Sequence, residues 1–467
     1  MKPLHRSSLK GRRFLRPFAF LLLLGAASAT AREHSVTLLQ FSDYHSHALP
    51  FYAGPAGQQG GIARAIGYLR REKRRGALVF SGGDMINKGA PAWSDRYRCA
   101  EWPWLNGIVD AMALGNHDAD YGLSELARCR GLIHYPLLSA NTTSAVMTFE
   151  PYRVIESHGY RIGVFAIAGS DFHALVQEPL TFSDPVIAAR KVVEQLRSRE
   201  HVDAVVMIGH QHLEADFALA RSVPGIDVLF GSHSHLRRDL MQIEGTNTWF
   251  VSPWQYLAYI SRVELRFRGH QLVGVRGGLV PVDEQMPVDR AIQSRVRSME
   301  TSLRRDPVYA LLFQLVGTLP EPISIDDLGA RTVETMKESV HADVALSTAS
   351  SFRQPLAAGP LTVEALRAAL PYDNEIVVAE MSGEQLERLL EYGRSRKGSD
   401  SFAISIGPST IDSARKYRVA TTDYLAKVAE GYRDFFGSSV QASGLHVREE
   451  VRKRIALSGR FAPKSSP

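Results

Sequence analysis

At 467 residues the chain is long enough for two or three domains. With 45% hydrophobic and 22% charged residues it is ordinary globular material, able to bury sizeable cores. Its formal charge of +6 would suit a nucleic-acid partner, but the N-terminus accounts for all of it. Lys10, Arg12, Arg13 and Arg16 precede the apolar run Phe18 to Leu24, and Ala27-Ser28-Ala29 gives a small-x-small cleavage pattern. This reads as a secretory signal peptide over residues 1–29, because the apolar run is too short to span a bilayer comfortably. Arg12-Arg13-Phe14-Leu15 also fits twin-arginine export, so the route stays open between the two. Cutting after Ala29 removes six basic residues and no acidic ones, which takes the formal charge to zero. A basic patch for nucleic acid then has no compositional support. No other stretch is long and apolar enough to cross a membrane. The expectation is a secreted or periplasmic monomer without stable membrane insertion.

Ser35–Phe41 is a short β-branched and aliphatic run that breaks into Ser42-Asp43-Tyr44-His45. Ile62–Arg75 carries helical spacing, with Ile62, Ile66 and Leu69 on one face. Buried strands follow at Ala77–Phe80, Asp110–Leu114, Tyr160–Ala168, Asp203–Ile208 and Ile226–Phe230. Helical stretches at Leu123–Arg130, Pro185–Arg199 and Glu214–Arg221 alternate with them, the pattern of a layered α/β domain. Trp249–Pro253, Ala258–Phe267 and Gln271–Val282 read as antiparallel strands closing that domain. Pro287 to about Gly317 reads as a long charged helix, and Leu319-Pro320-Glu321-Pro322 as a boundary. A second α/β unit then predicts helices at Leu328–Val340, Val363–Ala369 and Gly383–Tyr392, with strands at Val344–Leu346, Glu375–Met381 and Arg418–Ala420. The tail from Ser458 to Pro467 is expected to be disordered. Cys99 and Cys129 bracket the Asp110–Leu114 strand and its loop; they either form one disulfide or remain free and buried.

Five strands deliver polar side chains to their C-terminal ends: Asp43 with His45, Asp84, Asn116 with His117, His210, and His233 with His235. Sites in α/β sheets assemble along that edge. Singly, each piece has a bland reading, since a histidine after a strand is more often a satisfied surface or core residue than a ligand. Together, with His117 set aside, they place seven oxygen and nitrogen donors in one register. A thiolate-free mixture of carboxylate and imidazole suits two divalent ions such as Zn, Mn, Co or Fe, and argues against a structural zinc. Such a pair can share a carboxylate, activate water and clamp the oxygens of an in-line displacement at phosphorus. Asp84, behind two glycines that admit a close backbone approach, is the candidate bridge. His117 is assigned off the metals, protonating the leaving oxygen, with Asp120 holding its other ring nitrogen. The alternative keeps His117 as a further ligand and Asp120 as a helix cap.

Asp43-x-His45, Gly82-Gly83-Asp84, Gly115-Asn116-His117-Asp118-x-Asp120, His210 and Gly231-x-His233-x-His235 resemble the signature of the calcineurin-like metallophosphoesterases. The closer likeness is to secreted 5′-nucleotidases and periplasmic UDP-sugar hydrolases, and it covers essentially the whole mature chain. The resemblance implies an α/β fold: a four-layer catalytic β-sandwich flanked by helices over residues 35–285, a linker helix over 286–320 and a smaller substrate-binding α/β domain over 321–457. It also implies one ion on Asp43, His45, Asp84 and His235, another on Asp84, Asn116, His210 and His233, and His117–Asp120 as catalytic pair. The substrate implied is a nucleotide or related phosphate ester. The second domain departs from the family pattern: Thr348-Ala349-Ser350-Ser351-Phe352-Arg353 keeps the arginine of a phosphate-gripping loop but not its asparagine and glycines. Arg353 is expected to grip phosphate, Phe402 and Tyr424 to sandwich a base, and Glu430 to meet the ribose. Two further readings compete. One is a periplasmic thiosulfohydrolase on the same dimetal scaffold; the other is a ligand-binding relative that has lost catalysis.

Overall fold

The structure is a computed structural model that describes Met1 and residues 33–169, 180–437 and 440–458. The signal-peptide reading of residues 1–29 and the tail beyond residue 458 lie outside those residues. The N-terminal half is built on two six-stranded sheets packed face to face. The first runs, edge to edge, through Gln271–Pro281, Tyr259–Arg268, Glu33–Phe41, Leu78–Ser81, Ala111–Ala113 and Leu137–Leu138. The second runs through Arg237–Gln242, Trp249–Pro253, Val228–Gly231, Ala204–His210, Tyr160–Ala168 and Tyr152–Ser157.

Side-chain alternation makes the layers. Along Glu33–Phe41, Val36 and Leu38 face the second sheet, meeting Val206, Ile208, Val228 and Phe230 in one dry cluster. Leu39 and Phe41 face the other way, onto the Ile62–Lys73 and Leu123–Arg130 helices. On the second sheet Phe165, Met207 and Leu229 point outward to the helices Pro185–Ser198 and Leu213–Ser222. Both sheets are therefore covered on both faces, which is why their central strands read as continuous apolar runs.

Two sequence expectations change here. Trp249–Pro253 runs parallel to Val228–Gly231 in the second sheet, whereas Tyr259–Arg268 and Gln271–Pro281 are antiparallel and belong to the first. The chain changes sheets through a short link in which Trp254, Tyr256 and Leu257 all take positive φ. The charged helix spans only Arg290–Arg305. Pro307 forbids helical geometry at Asp306, which sits at φ −69°, ψ 120°. Leu315–Leu319 is instead a strand, paired antiparallel with Gly359–Thr362. Beyond it a five-stranded sheet runs Ala403–Ile406, Val344–Thr348, Lys416–Thr422, Glu375–Ser382, Gln441–His446, with an apolar cluster on each face. Cys99 and Cys129 form a disulfide, which ties the Leu123–Arg130 helix to the segment before the Ala111–Ala113 strand. Among the described residues no helix is long and apolar enough to cross a membrane.

Candidate active site

All five predicted strand ends open on one point, along the shared C-terminal edge of the parallel strands. The backbone there is unusual. Asp43, His45, Asp84, His233 and His235 all adopt left-handed conformations, with φ between 48° and 66°. A non-glycine residue in that region costs of order 1–3 kcal/mol, and such residues gather where a side chain must be aimed. Hydrogen bonds between the turns hold them: Asp43 N–H donates to the Gly83 carbonyl at 3.1 Å and His45 N–H to that of Asp84 at 2.9 Å. Gly83 has φ 87°, and a Cβ there would lie 2.6 Å from the Gly115 nitrogen. A Cβ on Gly115 would meet the Asp84 nitrogen at 2.1 Å. Only glycine lets these two turns touch.

Asp118 joins the same two turns. Its carboxylate accepts the N–H groups of Gly115 at 2.9 Å, Asp84 at 3.1 Å and Met85 at 2.8 Å. Burial, followed by the Asp84 charge, pushes its carboxyl up to about 7. Sequence reasoning passed over this residue; its signal was a carboxylate inside Gly-Asn-His-Asp, the one side chain there able to accept several N–H groups.

The seven donors form two groups that share Asp84. Asp43, His45, Asp84 and His235 offer ligand atoms within 4.8 Å of one another, as do Asp84, His210 and His233. Asn116 joins the second group, its amide oxygen 3.1 Å from His210 Nε2 and 2.9 Å from His233 Nδ1. The histidines are aimed by carbonyl groups: His210 Nδ1 lies 2.6 Å from the Gly82 oxygen and His45 Nδ1 3.2 Å from that of Ile86. Each ring therefore turns Nε2 inward. His210 Nε2 then faces two acceptor oxygens, Asn116 Oδ1 and, at 3.3 Å, Asp84 Oδ2. His45 Nε2 faces His235 Nε2 at 3.1 Å and Asp84 Oδ2 at 3.7 Å. Asp84 Oδ2 is buried between the Nε2 atoms of His210 and His45.

Acceptor atoms crowded this closely need positive charge among them. The titration of His210 says the same: burial opposes its charging, yet Asp84 and Asp43 push it up to about 10. Burial likewise disfavours the Asp84 carboxylate, but His210 and His117 hold it well below the usual range. The donor set fits divalent cations.

His117 stands outside both groups. Its backbone N–H donates to Asp84 Oδ1 at 2.8 Å, while its Nδ1 lies 2.8 Å from Asp120 Oδ2. Burial would discharge the ring, but Asp120 and then Asp84 raise its pKa well above the ordinary value. His117 lines a cavity of about 260 Å³ together with Asp84, Asn116, His233 and His235. The C-terminal domain supplies the opposite wall, including Arg353, Tyr372 and Tyr424. Arg353 is 7% exposed and its guanidinium reaches His235 Nδ1 and the Tyr372 hydroxyl. Phe402 and Glu430 do not line this cavity, and Glu430 is exposed.

Two paired, helix-covered sheets with carboxylate and imidazole donors at one edge define a metallophosphoesterase. Comparison with known proteins agrees. Residues 36–237 match the calcineurin-like phosphoesterase family and residues 324–410 the 5′-nucleotidase C-terminal domain. The chain is 26% identical to Protein UshA of Yersinia enterocolitica, over 86% of this chain and 87% of that one. It is 25% identical to the 5′-nucleotidase of Vibrio cholerae, over 78% and 77%. The structure of a 5′-nucleotidase precursor from Thermus thermophilus superposes with a TM-score of 0.74 at 21% identity, covering 93% of this chain and 98% of that one. This chain belongs to the calcineurin-like phosphoesterases that carry a 5′-nucleotidase C-terminal domain, and it is a phosphoester hydrolase.

Proposed function

We propose that the chain is an exported phosphoesterase with two divalent ions, releasing phosphate from nucleotides or related phosphate esters. The observation that carries this reading is the buried Oδ2 of Asp84 shared between the Nε2 atoms of His210 and His45, at the junction of the two donor groups. Asp43, His45, Asp84 and His235 would hold one ion, and Asp84, Asn116, His210 and His233 the other. When bound, such ions supply the Lewis acidity that polarises a phosphoryl oxygen and activates water. His117 gives its proton to the leaving oxygen as the P–O bond breaks, while Asp120 keeps the ring oriented through Nδ1. Arg353 offers a fork of donors to the phosphoryl oxygens, and Tyr424 an aromatic surface to the organic part. Phe402 and Glu430 receive no role, because neither lines the cavity. Residues 35–285 carry the chemistry, 286–320 link, and 321–457 close over the substrate. The nucleotide assignment follows the 5′-nucleotidase relative; export follows the N-terminal pattern and suits the disulfide.

The test is phosphate release from a nucleoside monophosphate, a cyclic nucleotide and a nucleotide sugar, before and after chelation. EDTA should abolish turnover, with Mn, Co or Zn restoring it. Turnover that survives exhaustive chelation would rule the reading out.

A further inference from the structure

Arg353 is held at both ends of its backbone. Its N–H donates to the Ala369 carbonyl at 3.0 Å, inside the C-terminal domain. Its carbonyl accepts from the side-chain Nε2 of Gln255, a residue of the catalytic domain 98 positions away. A carbonyl oxygen can only accept, so it is the amide nitrogen of Gln255 that faces it. With both backbone groups fixed, the direction of the side chain is fixed too, towards His235 and Tyr372. The Arg353 Nε is buried and meets no acceptor among the described residues. A buried guanidinium with an unused N–H suits an anion.

Gln255 sits in the short link between Trp249–Pro253 and Tyr259–Arg268, where the chain changes sheets. Its neighbours Trp254, Tyr256 and Leu257 have φ of 67°, 59° and 59°. Backbone of this kind persists only where surrounding contacts over-determine it. Here Tyr256 N–H donates to the Asp43 carbonyl at 2.8 Å, and the Tyr256 ring stacks on His47 with centroids 3.5 Å apart. Gln255 is 2% exposed, and its Oε1 meets no donor among the described residues. Burying an amide is unfavourable unless it is hydrogen-bonded, so the bond to Arg353 is what stabilises this side chain in place.

One link therefore touches both halves of the site. Its Tyr256 amide holds the Asp43 turn, and its Gln255 side chain holds the Arg353 loop. We propose that Gln255 is a positioning residue for phosphate recognition: by holding the Arg353 carbonyl from the catalytic domain, it sets the guanidinium at a fixed reach from the Asp43–Asp84 edge. This rests on the reading of Arg353 as the phosphate contact. Gln255 does not itself line the cavity, so its effect is exerted through Arg353.

The experiment uses the metal-loaded mature chain, with p-nitrophenyl phosphate as substrate and inorganic phosphate as competitive inhibitor, so that only the phosphate half of recognition is read. Gln255→Met keeps the length and removes the donor; Gln255→Glu keeps the shape and turns an acceptor towards the Arg353 carbonyl. Each should raise KM and the phosphate inhibition constant together by about threefold or more, the worth of one hydrogen bond, with kcat within about twofold of wild type and metal content unchanged. In an Arg353→Ala background neither substitution should move either constant further, as members of one pair behave. A merely structural role would instead add its loss to that of Arg353→Ala. Should one variant fail to fold, the other carries the comparison. Unchanged constants, additive losses, or a loss confined to kcat would each overturn the proposal. Arg353→Ala that alone leaves both constants at wild-type values would bring down the Arg353 reading first, and the proposal with it.

Discussion

Asn116 and His117 are adjacent, yet the loop sends them to different partners. The Asn116 oxygen sits between His210 and His233, while the His117 ring turns to Asp120. Replacing His117 by Ala should therefore cut kcat by roughly 10²–10⁴-fold, the usual worth of a general acid, while metal content per chain holds. Metal loss in that variant would make His117 a ligand instead. Arg353→Ala removes the one guanidinium on the cavity wall among the described residues and should raise KM for a nucleotide about tenfold or more, in line with a charged hydrogen bond. Unchanged kinetics would take the C-terminal domain out of phosphate binding. The seven donors were legible because residue type, strand end and spacing coincide in the sequence. The place of Phe402 was not: its carbonyl accepts the Ala349 N–H across the C-terminal sheet, and it does not line the cavity. Asp118 escaped for a related reason, since two of its three N–H donors come from a turn thirty-odd residues upstream.

The strands and helices follow their sequence signals where the signal is local. Tyr160–Ala168 and Leu123–Arg130 fall where the pattern places them. Direction within a sheet is not local, and Trp249–Pro253 joined the second sheet in parallel because its neighbour was settled by tertiary packing. The disulfide was undecidable from two cysteines alone; the fold brings them together by seating the Leu123–Arg130 helix against the segment holding Trp102 and Leu105. That segment also carries Glu101, buried with Oε1 accepting from the Tyr44 hydroxyl at 3.0 Å and from the Trp93 indole. Burial pushes its carboxyl up from 4.5 to about 7, partly offset by those two donors. A raised folded-state pKa stabilises most below the unfolded value, so this contribution shrinks as pH rises from about 4.5 and is gone above about 7. Glu101→Gln should flatten that slope, by roughly 3 kcal/mol across the interval, in urea unfolding at a series of pH values. Parallel slopes for wild type and variant would mean that Glu101 is ionised throughout.

At the scale of the whole molecule, the cavity belongs to neither domain alone. One wall comes from strand ends of both N-terminal sheets and the facing wall from loops of the C-terminal sheet. The layered architecture was legible from strand–helix alternation. How the second domain sits was not, because contacts such as His212–Asp400 and Arg396–Glu214 join residues close to two hundred positions apart. If that edge holds two divalent ions, Asp84, common to both donor groups, is the residue that would ligate both. The most direct measurement is metal stoichiometry by plasma mass spectrometry on purified wild type and Asp84→Ala after equilibration with Mn and Zn. Two ions per wild-type chain, falling to below one in the variant, is the predicted result. One ion or none in wild type, or an Asp84→Ala protein that keeps both, would contradict it.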